Sequence, residues 1–199
     1  MSGRRRAHTL TSFVSTAGEM TNMFDPTHGA RIPVPLGDEL RPDVAELLPL
    51  IARPGREPAR TMAVLARQPD LLGPFLGWAA ALALNGVLSH RDHEILALRA
   101  ASNCGSEFEW VEHVEYAREA GLSDDEIARI AQPIDGSWSA AERSLLRAAD
   151  ELHADRDVSD ATWAELGEHY DAPALVEILF VVGQYTLLSM VANAAGIPA

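Results

Sequence analysis

A single cysteine, Cys104, stands in 199 residues. One thiol cannot close an internal disulfide, form a Cys-x-x-Cys redox pair or build a Cys-rich zinc site. Basic residues are also scarce. Sixteen Lys and Arg face 29 Asp and Glu, a formal net charge of −13. A surface that acidic repels phosphate backbones, so nucleic acid is not an expected partner. The run Arg4-Arg5-Arg6 is a local exception and reads as a solvated, mobile terminus. Residues 7–23 mix Thr, Ser, Glu and Asn with apolar residues, so the continuous apolar stretch of a secretory signal is missing and the chain reads as cytoplasmic. No run alternates with period two for long enough to suggest a sheet.

Long apolar runs are nearly absent too. The exception is residues 178–197, ILFVVGQYTLLSMVANAAGI, which approaches the roughly 20 residues of a membrane span. Gln184 and Asn193 interrupt it and Glu177 sits at its edge. A helix apolar on all sides also occurs at the centre of helical assemblies. Burial is the expectation, with no membrane partner.

What remains reads as helix. Residues 1–40 carry Gly, Pro, Ser and Thr with little periodicity and read as an arm, ending in an extended piece at Ile32-Pro33-Val34-Pro35. Residues 41–199 read as one domain, a length that can bury a substantial core. The expected helices are 42–52, 57–67, 70–85, 89–103, 106–120, 123–131, 139–154, 159–169 and 173–195. Four of them start on Ser-x-x-acid: Ser89/Asp92, Ser106/Glu109, Ser123/Glu126 and Ser139/Glu142. In such a capping box the Ser oxygen accepts from a free first-turn N–H, and the acid reaches back to the cap's own N–H.

The chemistry-bearing region runs from Glu94 to Glu126. Glu94 shares a helix face with Ala97, Leu98 and Ala101. An acid on an apolar stripe must be paired, neutralised or used. It reads either as a buried salt bridge or as a site acid whose pKa is raised by desolvation. Glu109 and His113 lie four apart on one face, so the carboxylate can orient one ring nitrogen while the other meets a substrate. The alternative is structural, with Ser106 and Glu109 occupied as a cap and His113 a satisfied interior histidine. His90, His93 and His113 make no familiar metal-ligand spacing, and no metal site is expected. Cys104 reads as a packing residue. Trp78, Trp110, Trp138 and Trp163 read as core. Tyr185 lies in the most apolar helix, where a buried hydroxyl needs a partner, and is a candidate pocket donor.

Several strings resemble the carboxymuconolactone decarboxylase family, a superfamily shared with the alkyl hydroperoxidase D-like proteins. They are Leu65-Ala66-x-x-Pro69, Glu94-x-x-x-Leu98-Arg99, Glu107-Phe108-Glu109-Trp110-x-x-His113, Ala117-x-x-Ala120-Gly121-Leu122, Glu126-Ile127, Gly183-x-Tyr185 and Asn193. The resemblance spans roughly residues 42–197. It implies an all-α, compact, oligomer-forming helical domain, assembled as a trimer or hexamer. It also implies a cofactor-independent acid–base enzyme acting on a small organic acid or lactone, with a decarboxylase-type lyase as the leading reaction. His113 would be the proton shuttle, Glu94 and Glu109 orienting or relay carboxylates, and Arg99 a carboxylate anchor. Ser106, Trp110 and Tyr185 complete the expected substrate-binding set. The peroxidase branch resembles this region but carries Cys-x-x-Cys where Ser106 and Glu109 stand here. Thiol peroxidase chemistry needs an attacking and a resolving sulfur, so that branch is disfavoured. A non-catalytic, oligomeric small-molecule-binding protein is the third reading.

Overall fold

The computed structural model describes residues 30–35, 37–51 and 58–199. The Arg4–Arg6 run, residues 7–23 and most of the expected arm lie outside the described residues. So do the end of the expected helix 42–52 and the start of 57–67.

The described residues are helical, with no strand among them. The α-helices are α1 (Pro42–Leu47), α2 (Arg60–Leu65), α3 (Pro69–Leu84), α4 (His90–Asn103) and α5 (Glu107–Glu119). They continue as α6 (Asp124–Ile130), α7 (Ala140–Asp155), α8 (Asp160–Gly167) and α9 (Ala172–Ala195). A 3₁₀ turn, Leu48–Ile51, takes over from α1. The all-α expectation therefore holds. The piece at residues 32–35 is irregular rather than regular strand, and it is tied to the far end of the chain, where Arg31 donates its N–H to the Ala195 carbonyl at 2.8 Å.

Every helix expected to begin on serine does so. Ser89, Ser106, Ser123 and Ser139 each accept a first-turn N–H. Only Ser123/Glu126 and Ser139/Glu142 close the reciprocal half of the box. In α4 the acid turns to the Ser89 hydroxyl, at 2.8 Å. In α5 the Ser106 N–H is taken by the Ala101 carbonyl, which leaves the Glu109 side chain uncommitted at the helix end.

Helix α4 is the centre of the molecule. Its residues 93–101 are all buried. A helix enclosed on several sides needs a neighbour for each face. Leu96, Ala97 and Ala100 meet Leu145 and Ala148 of α7 and Ile178, Val181 and Tyr185 of α9. Ile95 and Leu98 pack with Ala117, Ile127, Ile130, Trp138 and Leu146. Small alanines at 97, 100 and 101 let the neighbouring helices approach closely. Arg91, at the start of α4, binds both capping acids at once, Glu126 at 2.5 Å and Glu142 at 2.8 Å. The shared pairing and the Ser123 hydrogen bonds hold Glu126 well down, at about 2.

Helix α9 is long and apolar enough to cross a membrane, but half of its most apolar window is buried within the protein. Its inner face carries Glu177, Gln184, Tyr185 and Ser189, all buried. The Glu177 carboxylate accepts the N–H groups of Val87 at 2.5 Å and Leu88 at 3.4 Å, which fixes the α3–α4 connection. Gly86 permits this, because a Cβ there would collide with that carboxylate. The outer face is apolar and uncovered: Val176, Phe180, Leu187 and Met190 are exposed. Trp78 of α3 stacks edge-on with Phe180 at 5.1 Å. Trp78 and Trp163 are both 42% exposed, so the expectation that all four tryptophans are core holds fully only for Trp138.

Candidate functional site

Helices α4 and α5 are joined by a tight turn in which Gly105 takes φ +59, the left-handed conformation that favours glycine. The turn folds α5 back along α4 and brings Glu94 opposite His113. His113 Nδ1 donates to Glu94 Oε2 at 2.8 Å. Both side chains are about nine-tenths buried. The orienting carboxylate is thus Glu94 of the neighbouring helix, which corrects the expectation that Glu109 would take that role. Glu109 instead faces the other ring nitrogen, with His113 Nε2 4.0 Å from Glu109 Oε2. That distance is too long for a direct hydrogen bond, so the two groups can be bridged only by a water or substrate atom lying to one side of the line that joins them.

The ring of Tyr185 meets His113 edge-on, with centroids 4.4 Å apart, and its hydroxyl is hydrogen-bonded to His93 Nε2 at 2.9 Å. These residues line a cavity of about 620 Å³. One wall is apolar, from Met62 of α2 and Phe75, Leu76 and Ala79 of α3. Helix α5 lines it as well, with Glu109, Glu112, His113 and Tyr116. Gln184 and Leu188 of α9 contribute as well.

The proton affinities follow from these surroundings. Burial pushes the His113 pKa down, but the Glu94 hydrogen bond and the charges of Glu94, Glu109 and Glu112 outweigh it, and the net shift is upward. Burial raises Glu109 from 4.5 to about 7, against the opposing pull of His113. Burial lowers His93, keeping it neutral, and raises Tyr185 well above its usual range, keeping its hydroxyl protonated. A carboxyl that titrates near neutrality beside an imidazole of raised proton affinity suits general acid–base catalysis.

Glu109 has a measurable cost. Between pH 4.5 and about 7 the unfolded chain ionises this carboxyl while the folded chain keeps it protonated. Folding stability contributed by this group is therefore full at low pH and lost as pH rises through that window. The whole difference corresponds to about 3 kcal/mol. Glu109→Gln is expected to melt progressively higher relative to wild type as pH is raised across the window. Parallel melting curves at every pH would refute the assignment.

Three residues expected in the substrate-binding set lie elsewhere. Arg99 points into the α4–α7 contact, where its guanidinium grips Asp150 through two bonds of 2.6 Å. It also donates to the carbonyls of Ile130 at 2.5 Å and Gln132 at 2.8 Å. All these acceptors are protein groups, so Arg99 clamps helices together rather than anchoring a substrate. Ser106 and Trp110 sit on a different face of α5 and line a small separate pocket of about 60 Å³. Cys104 lines neither pocket; its Sγ lies 3.8 Å from His153 Nδ1, and burial raises its pKa.

The sequence reading missed His93 as a site residue, because it weighed the His90–His93 cluster only for metals. Adjacency to Glu94 near the start of one buried helix was the available signal. Gln184, Glu112 and Tyr116 were also missed.

Residues 69–151 match the family model described as "Carboxymuconolactone decarboxylase family". Over that segment, which runs from α3 through most of α7, the chain resembles that family. Similar solved structures share the fold. An uncharacterized peroxidase-related protein from Silicibacter sp. TM1040 superposes with a TM-score of 0.74 at 17% identity, covering 88% of this chain and 94% of its own. One from Ralstonia eutropha JMP134, described as an alkylhydroperoxidase AhpD core, gives 0.70 at 22% identity, covering 85% and 91%. A protein of unknown function from Agrobacterium tumefaciens gives 0.61 at 21%, covering 65% and 90%. No curated protein matches the chain.

Proposed function

We propose that this chain is a cofactor-independent acid–base enzyme that moves a proton on a small organic molecule, with His113 as its catalytic residue. One observation carries this reading. The two His113 nitrogens are in different surroundings: Nδ1 is fixed on Glu94, while Nε2 opens toward the Glu109 carboxyl in a 620 Å³ cavity. A histidine needed only for packing would not require a protonatable carboxyl beyond its second nitrogen.

The finer reading, supported by the family match, is a carboxy-lyase acting on a small unsaturated acid or lactone. Cleavage of the C–C bond to the carboxylate releases carbon dioxide, and the electron pair moves into the conjugated carbonyl. His113 Nε2–H then gives its proton to carbon. Glu109 restores that proton by way of solvent or substrate, and Glu94 holds the ring and its charge throughout. The reading is tested by incubating γ-carboxymuconolactone and a panel of β,γ-unsaturated lactones and ketones in D₂O. Carbon dioxide release tests the finer reading, and catalysed deuterium uptake at carbon tests the broader one. Exchange no faster than in buffer across the panel counts against both and favours a binding protein.

The peroxidase-related names of the structural neighbours raise a second reading. It requires sulfur at positions occupied here by Ser106 and Glu109. Cys104, its thiol pKa raised, is a poor nucleophile at neutral pH. No dithiol-dependent peroxide turnover is expected. Turnover that disappears in Cys104→Ser would restore the peroxidase reading.

Self-association is part of the proposal. Leu71, Trp78 and Leu84 of α3 and Val176, Phe180, Leu187 and Met190 of α9 leave large apolar side chains exposed, and such patches mark association sites. A trimer or hexamer is expected in sedimentation at micromolar concentration; a monomer there would refute it. With one thiol and an acidic surface, we place the protein in the cytoplasm, without membrane or nucleic-acid partners.

A further inference from the structure

We infer that Tyr185 is the catalytic group that receives the carbonyl oxygen of the substrate, and that His93 is the positioning residue that turns its hydroxyl toward that oxygen. The inference rests on the acid–base reading of the same cavity. It supplies the partner for the negative charge that forms as the electron pair moves into the carbonyl.

Two neighbouring residues of α4 hold the two working side chains. Glu94 fixes His113 of α5 through Nδ1, at 2.8 Å. His93, one position earlier and so about 100° around the helix, reaches α9 instead and meets the Tyr185 hydroxyl through Nε2, at 2.9 Å. The Tyr185 ring packs edge-on with both imidazoles, its centroid 5.5 Å from that of His93 and 4.4 Å from that of His113. All three side chains line the cavity. Residues 93–101 of α4 are buried throughout, so the spacing between proton carrier and hydroxyl is set before a ligand arrives. Stabilising a developing charge requires that kind of preorganised donor.

The direction of the His93 hydrogen bond follows from what a ligand brings. A carbonyl oxygen only accepts. If the Tyr185 O–H donated to His93, a ligand carbonyl beside it would lack a donor. If His93 Nε2–H donates to the Tyr185 oxygen, the phenolic proton is free for the ligand. Burial lowers the proton affinity of His93 and keeps the imidazole neutral. It therefore has one N–H to place, and Nε2 is the nitrogen that faces the hydroxyl. The Gln184 side chain acts on the same hydroxyl in the sense of a second donor. Burial and the charges of Glu94 and Glu109 oppose ionisation of Tyr185, so it shares its proton without giving it up.

In exchange, the C–H proton passes to His113 Nε2, its electron pair becomes a C=C bond, and the carbonyl pair moves onto oxygen, where the Tyr185 O–H meets it. In decarboxylation the pair comes from the C–C bond to the departing carbon dioxide, and His113 Nε2–H supplies the proton to carbon. Return of the pair from oxygen rebuilds the carbonyl, and Tyr185 ends with the proton it began with. Glu109, with a pKa of about 7, is mostly ionised at pH 8 and is then no donor to that oxygen.

The test, on the full chain at pH 8, is the infrared spectrum of bound cyclohexanone labelled at its carbonyl carbon, recorded beside the kinetics of deuterium exchange. The carbonyl stretch of the bound ketone is expected at or below its frequency in water, and should rise toward its value in hexane in Tyr185→Phe. Exchange in that variant should fall about a hundredfold in kcat with KM little changed, the scale for losing one donor to a developing oxyanion. His93→Leu should lose about tenfold, as for a hydrogen bond that orients the hydroxyl. His93→Gln, whose amide N–H can replace Nε2–H, should restore most of the rate and the frequency. His113→Gln should lose exchange and keep the stretch. An unchanged stretch in His93→Leu, with only the melting temperature lowered, overturns the positioning role. A stretch indifferent to Tyr185→Phe, or no saturable ketone binding, overturns the whole inference. So does a shift lost in Arg53→Gln/Arg56→Gln and kept in Tyr185→Phe; those arginines lie outside the described residues, between the lining residues Ile51 and Ala59. Exchange that proceeds equally well in Tyr185→Phe removes this assignment and leaves the acid–base reading standing. A Tyr185-dependent stretch without exchange on any carbon acid does the reverse.

Discussion

His113→Gln is expected to slow catalysed deuterium exchange by about a hundredfold or more per folded molecule, since a positioned acid–base group contributes about 10²–10⁴-fold. The glutamine amide can still donate toward Glu94, so the buried carboxylate is not stranded. What it cannot do is carry a proton at the position of Nε2, 4.0 Å from Glu109. The loss should therefore exceed anything explained by a lower melting temperature, which is measured on the same sample. Full exchange activity in a folded His113→Gln protein would sink the catalytic assignment. The companion variant Glu94→Gln separates positioning from chemistry. Glu94 raises the proton affinity of His113 through its hydrogen bond and its charge. Removing the charge should move the His113 titration, read by NMR, toward lower pH. The acidic limb of the exchange profile should move with it. A purely structural Glu94 would lower stability and leave both titrations in place.

The second large effect concerns stability. Arg99→Met is expected to cost about 2 kcal/mol in urea unfolding, between the scales for an exposed and a buried pair, because Asp150 is 35% exposed and can be resolvated. Arg99 is 8% exposed and makes two bonds to Asp150 and two to carbonyls following α6 or at its end. Its loss leaves those acceptors without the guanidinium, with Asn103 still donating to Asp150 at 2.9 Å. Catalysed exchange per folded molecule should be unchanged. A variant of normal stability that fails to bind ligand would reinstate Arg99 as a substrate anchor.

The contrast between these two residues shows what was legible in the sequence. Helix starts were legible because capping is local: a serine and the N–H groups two and three residues on settle it. The ends of α2 and α8 fall short of the apolar pattern, Arg60–Leu65 against 57–67 and Asp160–Gly167 against 159–169. Glu94 was legible as a site residue because an acid on a stripe of Ala97, Leu98 and Ala101 demands an explanation within its own helix. Arg99 was misread because residue type does not report direction. It lies five residues from Glu94, about 140° around the helix axis, and so faces α7 while Glu94 faces α5. The His93–Tyr185 hydrogen bond joins residues 92 apart and has no local signature. The choice of Glu94 over Glu109 as partner to Nδ1 depends on how α5 docks on α4, which spacing alone does not fix.

The half-closed cap of α5 has a consequence for selection. Ser106-x-x-Glu109 has the same pattern as the two full boxes, yet its acid is turned into a cavity where burial works against its charge. Position 109 is thus a place where robustness and use pull apart. A randomised library passed only through a heat challenge should shed the acid there within a few rounds, favouring amides or apolar residues. A library required to process its substrate should retain it. The residue recovered at this one position would tell a working lineage from one that has retired its chemistry and kept only the scaffold.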